Sequence, residues 1–397
     1  MPDGSLAPPA AGGPPAGWYA DPLVSGGWRW WDGHTWTPFV SAPTVGPTVR
    51  KPRLPRWLSV PVVCCAPLVI LLLVGLTATA PIATVAAVVP LLFVWPTLAW
   101  LDRVEPEPTS SRVHAVLWGG FVAVLAAALA NESVAALTNT TVAAVVSAPL
   151  VEEAFKALGI AWAVRRGEVD GVTDGIVFAG WVALGFAAVE DVLYFADAGE
   201  MFWTVFVLRA ILTPFAHPLF TFWAGLAIGR AVARGRGLWP AALWGYALSV
   251  ASHAAWNGSL ALAAPDPETG EGGSGVLVLA VVAPLFVVLF VAVVVALVRM
   301  RRSEQRRFVA QWPFLVRQYG LNAAEQAMFV DWKQMLGARR GLPRRLRRRF
   351  DAMHAAMARL SMHHARLSTH DPTRERVLAE QLAAARRELG LPARSGP

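Results

Sequence analysis

The chain has 397 residues, 55% of them hydrophobic and 16% charged, with a formal net charge of +8, and its mean hydropathy is +0.46. This composition excludes a soluble globular enzyme and describes an integral membrane protein. The two cysteines, Cys64 and Cys65, are adjacent in an apolar run; they form neither a disulfide framework nor a thiolate metal site and read as small packing residues.

Residues 1–16 are low-complexity Pro, Gly and Ala, a composition expected to be disordered. Residues 17–40 are a compact Trp-rich segment, Gly17-Trp18-Tyr19-Ala20-Asp21-Pro22 followed by Trp28-Arg29-Trp30-Trp31-Asp32-Gly33-His34-Thr35-Trp36-Thr37. An Asp-Gly turn between aromatic runs predicts a small β-hairpin. Residues 41–56 form a basic linker with Arg50, Lys51, Arg53 and Arg56.

Apolar runs between residues 57 and 298 predict an all-α polytopic domain of eight spans: Leu58–Leu76, Ile82–Leu101, Val113–Ala130, Val142–Val164, Ile176–Ala196, Phe202–Val232, Leu238–Ala263 and Val276–Val298. Each is long enough for a hydrocarbon core of about 30 Å. The sixth carries Pro214 and Pro218 and is expected to be kinked or broken. Residues 299–397 form a basic tail with a dense run, Arg339-Arg340 and Arg344-Arg345-Leu346-Arg347-Arg348-Arg349, and a polar helix from Thr373 to Leu391. Such a tail suits anionic lipid headgroups or a protein partner, as the Trp-rich segment suits a protein partner. Nucleic acid is not expected, because most of the positive charge flanks spans.

Those flanks set the orientation. Lys and Arg precede span one and follow spans two, four, six and eight, whereas the intervening turns carry Glu132, Asp197, Glu200, Asp266, Glu268 and Glu271 and no base. The positive-inside rule places both termini in the cytoplasm. Arg far outnumbers Lys, and Ala, Val, Pro and Gly are abundant, a bias of GC-rich bacterial genomes that makes the plasma membrane the expected location.

The chemistry lies in the polar residues of the spans. Span four contains Glu152-Glu153-Ala154-Phe155-Lys156, and each ionisable group there costs about 2.5–3.5 kcal/mol to insert. Glu152 and Lys156 stand one turn apart with Glu153 beside them, so this face looks into a bundle. Two carboxylates against one lysine leave a surplus acid, suited to general acid–base work. In span five Phe186, Glu190 and Tyr194 share a face, next to Asp191; Glu190 lies about 20 Å along the helix from Ile176, in the outer half of the bilayer. Span six adds Arg209 and His217, and span seven His253 and Asn257 at i,i+4. No H-E-x-x-H zinc motif occurs, Asn257-Gly258-Ser259 is a poor serine elbow, and the spans hold no phosphate-binding loop.

The ordered set Glu152-Glu153-Ala154-Phe155-Lys156, Phe186 to Glu190-Asp191 and Tyr194, His217, and His253 to Asn257 resembles the PrsW family of intramembrane proteases, relatives of the CAAX-processing protease superfamily. The resemblance covers residues 57–298. It implies a peptidase working inside the membrane on membrane-anchored proteins such as anti-sigma factors, with Glu152, Glu153, Lys156, Glu190, His217, His253 and Asn257 as its site. Glu152 or Glu153 would activate water, while His253 and Asn257 would polarise the carbonyl. Glu190 and His217 would orient the water or, with His253, hold a metal such as zinc. A metal-free glutamic mechanism is favoured by His253 and Asn257 lying one turn apart, and the zinc alternative stays open. Asp191 departs from the Asn expected in many members. The Trp-rich segment resembles a short module near the termini of many actinobacterial membrane proteins. Two other functions compete: an ion-coupled transporter, which the lack of an internal inverted repeat disfavours, and a non-catalytic scaffold.

The charge pattern makes a topological prediction. Cysteines introduced at 131–140 and 264–275 should react with an impermeant maleimide in intact cells, and one beside Arg234 should not. Labelling beside Arg234 before lysis would overturn the orientation.

Overall fold

The computed structural model describes residues 17–20, 28–31, 36–41, 59–263, 275–319, 332–365 and 372–389. The stretch expected to be disordered, most of the basic linker and the loop at 264–274 lie outside them. The chain divides into two compact units, Pro52–Arg103 with Glu107–Arg301, and Met1–Lys51 with Val104–Pro106 and Arg302–Pro397.

The first unit is helical throughout its described residues. Helices α1 Val60–Thr79, α2 Pro81–Ala86 and α3 Val89–Leu101 lead to α4 Thr109–Leu117, which runs through a π-helical stretch, Trp118–Ala123, into α5 Val124–Leu137. A short α6, Thr140–Val142, and a second π stretch, Ala143–Ser147, open onto α7 Ala148–Arg165; α8 Val172–Asp197 comes next. Then come α9 Phe202–Phe206, a third π stretch Val207–Leu212, α10 Ala216–Ala233, α11 Leu238–Ala263 and α12 Gly275–Ala310. Among the described residues, five helices are long and apolar enough to cross a membrane, six if the bent pair Gly199–Leu212 and Ala216–Ala233 is one span. The chain is thus a multi-pass membrane protein. The expected fourth and seventh spans are present as α7 and α11, of 18 and 26 residues, but they fall short of that apolarity. Glu152, Glu153, Lys156 and Arg165 lower it in α7, and His253, Asn257 and three serines in α11.

Helix α8 is the axis of this unit. It is apolar on all sides, and a helix so composed is stable only when surrounded; nearly every residue from Thr173 to Phe195 is buried or half-buried. Val177, Phe178, Trp181, Val182 and Leu184 pack with Leu98, Trp118, Ala163 and Phe222. Glycines bring its backbone against its neighbours: a Cβ on Gly225 of α10 would lie 2.5 Å from the Gly175 carbonyl, and one on Gly185 would overlap the Val116 carbonyl of α4. Close backbone approach through small residues is how helices gain contact area where lipid supplies no hydrophobic drive. Leu68 and Leu71 of α1 and Leu285 and Val288 of α12 are exposed, as lipid-facing side chains are.

The sixth span is broken, its halves bent by 40°. Pro214 has no N–H and drives the preceding residue out of the helical region. Thr213 accordingly sits at φ −128°, ψ 39°, and its N–H and Oγ1 both donate to the Leu208 carbonyl, at 2.9 and 2.8 Å. Pro218 falls in the first turn of α10, where a missing N–H is harmless.

In the second unit, β1 Gly17–Ala20, β2 Trp28–Trp31 and β3 Trp36–Ser41 form an antiparallel sheet in the order β1-β2-β3. The expected hairpin corresponds to β2–β3, with Trp31 opposite Trp36, and a third strand pairs Ala20 with Trp28. Helices α13 Trp312–Tyr319, α14 Trp332–Gly341, α15 Arg344–Ala365 and α16 Pro372–Glu388 give the tail its own core. Phe308, Trp312, Met335, Phe350, Met353, Met357, Leu378 and Leu382 meet there.

Gly185→Val should lower stability by about 1–3 kcal/mol, the usual cost of overpacking, read as a lower unfolding midpoint in detergent. Gly75→Ala, which meets nothing within 4 Å, is the control. An unchanged Gly185→Val midpoint would refute the close approach.

Candidate active site

Glu152, Glu153 and Lys156 project from consecutive turns of α7 and are at most 3% exposed. No water reaches Lys156, so its ammonium must be satisfied by side chains. It donates to Glu152 Oε2 at 3.2 Å and Glu153 Oε1 at 2.9 Å, lies 3.1 Å from His217 Nδ1, and rests 3.8 Å from the centre of the Phe186 ring. The i,i+3 and i,i+4 spacing that put these groups on one face of α7 also closes the ion cluster.

Glu153 is fully engaged. Beyond Lys156, its Oε2 accepts from Thr221 Oγ1 at 2.9 Å, and its Oε1 lies 3.1 Å from His253 Nδ1. Phe220 stacks on the His253 ring. Glu152 has a single hydrogen bond among the described residues, that to Lys156.

Across the cluster, Glu190 of α8 meets His217 Nε2 at 2.8 Å and is paired with Arg209. Arg209 stands on the third π stretch. Its Nε donates to Asp191 Oδ1 at 2.7 Å, and its guanidinium covers the Tyr194 ring at 4.0 Å. Asp191 thus has its charge met by Arg209. The four carboxylates Glu152, Glu153, Glu190 and Asp191 face only two permanent cations, Lys156 and Arg209. With neutral imidazoles the cluster carries a formal surplus of two negative charges.

A cleft of about 200 Å³ opens onto this network, lined by Glu152, Glu190, Arg209, His217, His253 and Asn257 among others. Glu153 and Lys156 lie behind its wall. Asn257 donates through Nδ2 to the Ala144 carbonyl at 2.8 Å, within the second π stretch. A π turn leaves carbonyls without their usual partner, and such turns gather at functional sites.

Of the seven residues expected from the sequence, five line this cleft and Glu153 and Lys156 lie directly behind it. The donor atoms that converge within 4.8 Å of one another belong to Glu152, His217 and His253. Glu152 takes the place expected for Glu190, because Glu190 is drawn to Arg209 and His217. Two residues of the site, Thr221 and Arg209, are not assigned to it by the sequence pattern. Thr221 stands one turn after His217, a spacing that could have revealed it. Arg209 lies within the π stretch and before the break, so helical phase relative to His217 carries no signal. His114, buried in α4 with its ring centre 3.5 Å from that of Trp162, is a further histidine of the helical unit, but it does not line the cleft.

Residues 107–311 match the family described as PrsW family intramembrane metalloprotease, and residues 16–49 match a family described as a protein of unknown function, DUF2510. A relative named Protease PrsW from Geobacillus kaustophilus (strain HTA426) is 32% identical over 135 residues, which are 33% of this chain and 58% of the relative. Another of the same name, from Clostridioides difficile (strain 630), is 28% identical over 151 residues, 36% of this chain and 63% of the relative. The chain thus spans about three fifths of the length of these curated relatives. No solved structure matches.

Arg209→Ala should be costly, since it leaves Glu190 and Asp191 buried without their cation. Stranding a buried charge in this way costs about 3–5 kcal/mol. Asp191→Asn in the same chain should recover part of the loss. A detergent unfolding midpoint that Arg209→Ala leaves unmoved would show that the ion pairs do not hold the fold.

Proposed function

Because the chain belongs to the PrsW family of intramembrane metalloproteases, we propose that it is an endopeptidase that hydrolyses peptide bonds of membrane-anchored proteins within the bilayer. The observation that carries this reading is the convergence of Glu152, His217 and His253 on a cleft that Glu190 and Asn257 also line.

The residues fit a divalent metal. One carboxylate and two imidazoles are a suitable donor set for zinc. A doubly charged cation would neutralise the surplus of two negative charges. Each imidazole is also bonded to a carboxylate, His253 to Glu153 and His217 to Glu190, the pattern that orients histidine ligands. Glu152, His217 and His253 would hold the ion, which when bound supplies Lewis-acid polarisation of the scissile carbonyl and a more acidic water.

The chain's own groups do the rest. Glu190, which lines the cleft beside Glu152 and Asp191, takes the proton of the attacking water and returns it to the leaving amine. Arg209 and Asp191 fix its orientation. Glu153, tied to Lys156 and Thr221, holds the His253 ring in place. Asn257 has a second amide N–H beyond the one on Ala144, and this donates to the oxyanion. The flanking helices exclude water, which strengthens each of these interactions.

We also propose that α7 and α11 cross the membrane, giving eight crossings with both termini cytoplasmic. Their polar residues turn toward the site, so low apolarity is no obstacle. The substrates, and any partner of the Trp-rich sheet, are proteins.

Purified protein tested on single-span reporter substrates decides the matter. Wild type should cleave and contain near-stoichiometric metal. Glu152→Gln should lose both metal and cleavage. Glu190→Gln should keep the metal and lose on the order of 10²–10⁴-fold in turnover, the usual contribution of a general base. Full cleavage by metal-free protein would sink the metal site, unimpaired Glu190→Gln the assignment of the base, and an inert wild type the peptidase itself.

A further inference from the structure

The tail carries seven arginines between residues 339 and 349, and the fold divides them into two groups. Three serve the tail's own structure. Arg339 grips Asp351 with bonds of 2.6 and 2.8 Å, Arg347 donates to the Leu342 and Arg340 carbonyls that end α14, and Arg349 meets Glu388 at 3.2 Å. The other four, Arg340, Arg344, Arg345 and Arg348, are exposed and have no acidic partner among the described residues. Arg344, Arg345 and Arg348 share one face of α15 by their i,i+3 and i,i+4 spacing. Phe350, Met353 and Met357, on the opposite face, are buried in the tail core.

This grouping is unfavourable in isolation. Arg344, Arg345 and Arg348 gather in the first turns of α15, at the positive end of the helix dipole, where cations are disfavoured, with Arg340 just before them at the end of α14, and no acidic residue occupies the first turn of α15. Among the described residues of the tail, no acidic side chain pairs with them. A face that violates local electrostatics without internal compensation marks a surface for an external partner.

We propose that Arg340, Arg344, Arg345 and Arg348 form a docking surface for anionic phospholipid headgroups of the membrane that the chain itself crosses. Chain length favours this occupant over other polyanions. The tail core begins at Phe308, seven residues beyond Arg301, where the membrane unit ends. At a reach of about 3.3–3.6 Å per residue, the tail is tethered close to the headgroups, so this partner is present at high effective concentration. Arginines pair well with phosphate, and attraction to an anionic leaflet is screened by salt.

The full-length protein in nanodiscs tests the proposal. Tryptic cleavage after Arg340, Arg344, Arg345 and Arg348, measured by mass spectrometry, should be at least about tenfold slower in discs with one third phosphatidylglycerol than in pure phosphatidylcholine. The protection should vanish in 0.5 M salt, roughly three to five times physiological ionic strength, while cleavage after the exposed Arg376 stays the same. A second readout avoids altering protease sites: a fluorophore on Ala352→Cys, with Cys64 and Cys65 changed to Ser, should be quenched by headgroup-labelled anionic lipid. That quenching should be lost in the Arg340→Gln/Arg344→Gln/Arg345→Gln/Arg348→Gln variant. Equal cleavage in the two lipid compositions, or equal quenching with and without the four arginines, overturns it. Protection by RNA or an acidic protein in phosphatidylcholine, with none from phosphatidylglycerol, assigns the surface to another polyanion and overturns it as well.

Discussion

An ammonium group sealed from water cannot tolerate a missing partner, and Lys156 imposes that constraint on the whole membrane unit. Its partners are Glu152, Glu153 and His217. Glu153 in turn reaches Thr221 and His253, and His217 reaches Glu190. Four helices, α7, α8, α10 and α11, are therefore cross-linked by polar contacts in a setting where apolar packing alone discriminates weakly between registers. A shift of any one of them by a single turn would strand a charge. The same groups that suit the cleft for hydrolysis thus specify how the helices align around it.

Close packing makes those polar contacts reachable. Gly175, Gly225 and Gly229 let α8 and α10 touch backbone to backbone, and Gly185 and Gly119 do the same between α8 and the α4 segment. Side chains as short as those of Thr221 and Asp191 then span the gaps. Bulkier residues at these glycines would push the helices apart and lengthen the bonds of the cluster.

How far the sequence reveals all this depends on whether helical phase is preserved. In α7 it is unbroken, so spacing alone puts Glu152, Glu153 and Lys156 on one face. The helical, multi-pass character of the domain was legible from apolar runs, and the break near Pro214 from proline chemistry. Legibility ended where the α-helical period is interrupted. Each π turn inserts a residue and rotates the downstream side chains by about 100°, which hides the approach of Arg209 to Glu190 and of Asn257 to Ala144. The convergence of Glu152, rather than Glu190, with the histidines was unreadable for a related reason. It depends on distances between helices, which no single-helix pattern encodes. In the tail, abundant arginines mask the Phe350, Met353 and Met357 stripe that makes α15 part of a core.

The break in the sixth span has a mechanical consequence. A continuous helix transmits tilt along its length, and helices tilt as the bilayer thickens or thins to match their hydrophobic length. Here Thr213–Phe215 act as a joint. The segment before it carries Arg209 and the exposed Ile211 and Leu212, while the segment after it carries His217 and Thr221. The break uncouples the two segments along the backbone, so tilt of the first reaches His217 through side-chain contacts and not through a continuous helix. Those contacts are the pairs of Arg209 with Glu190 and Asp191 and the packing of Phe202 and Phe206 on Phe195.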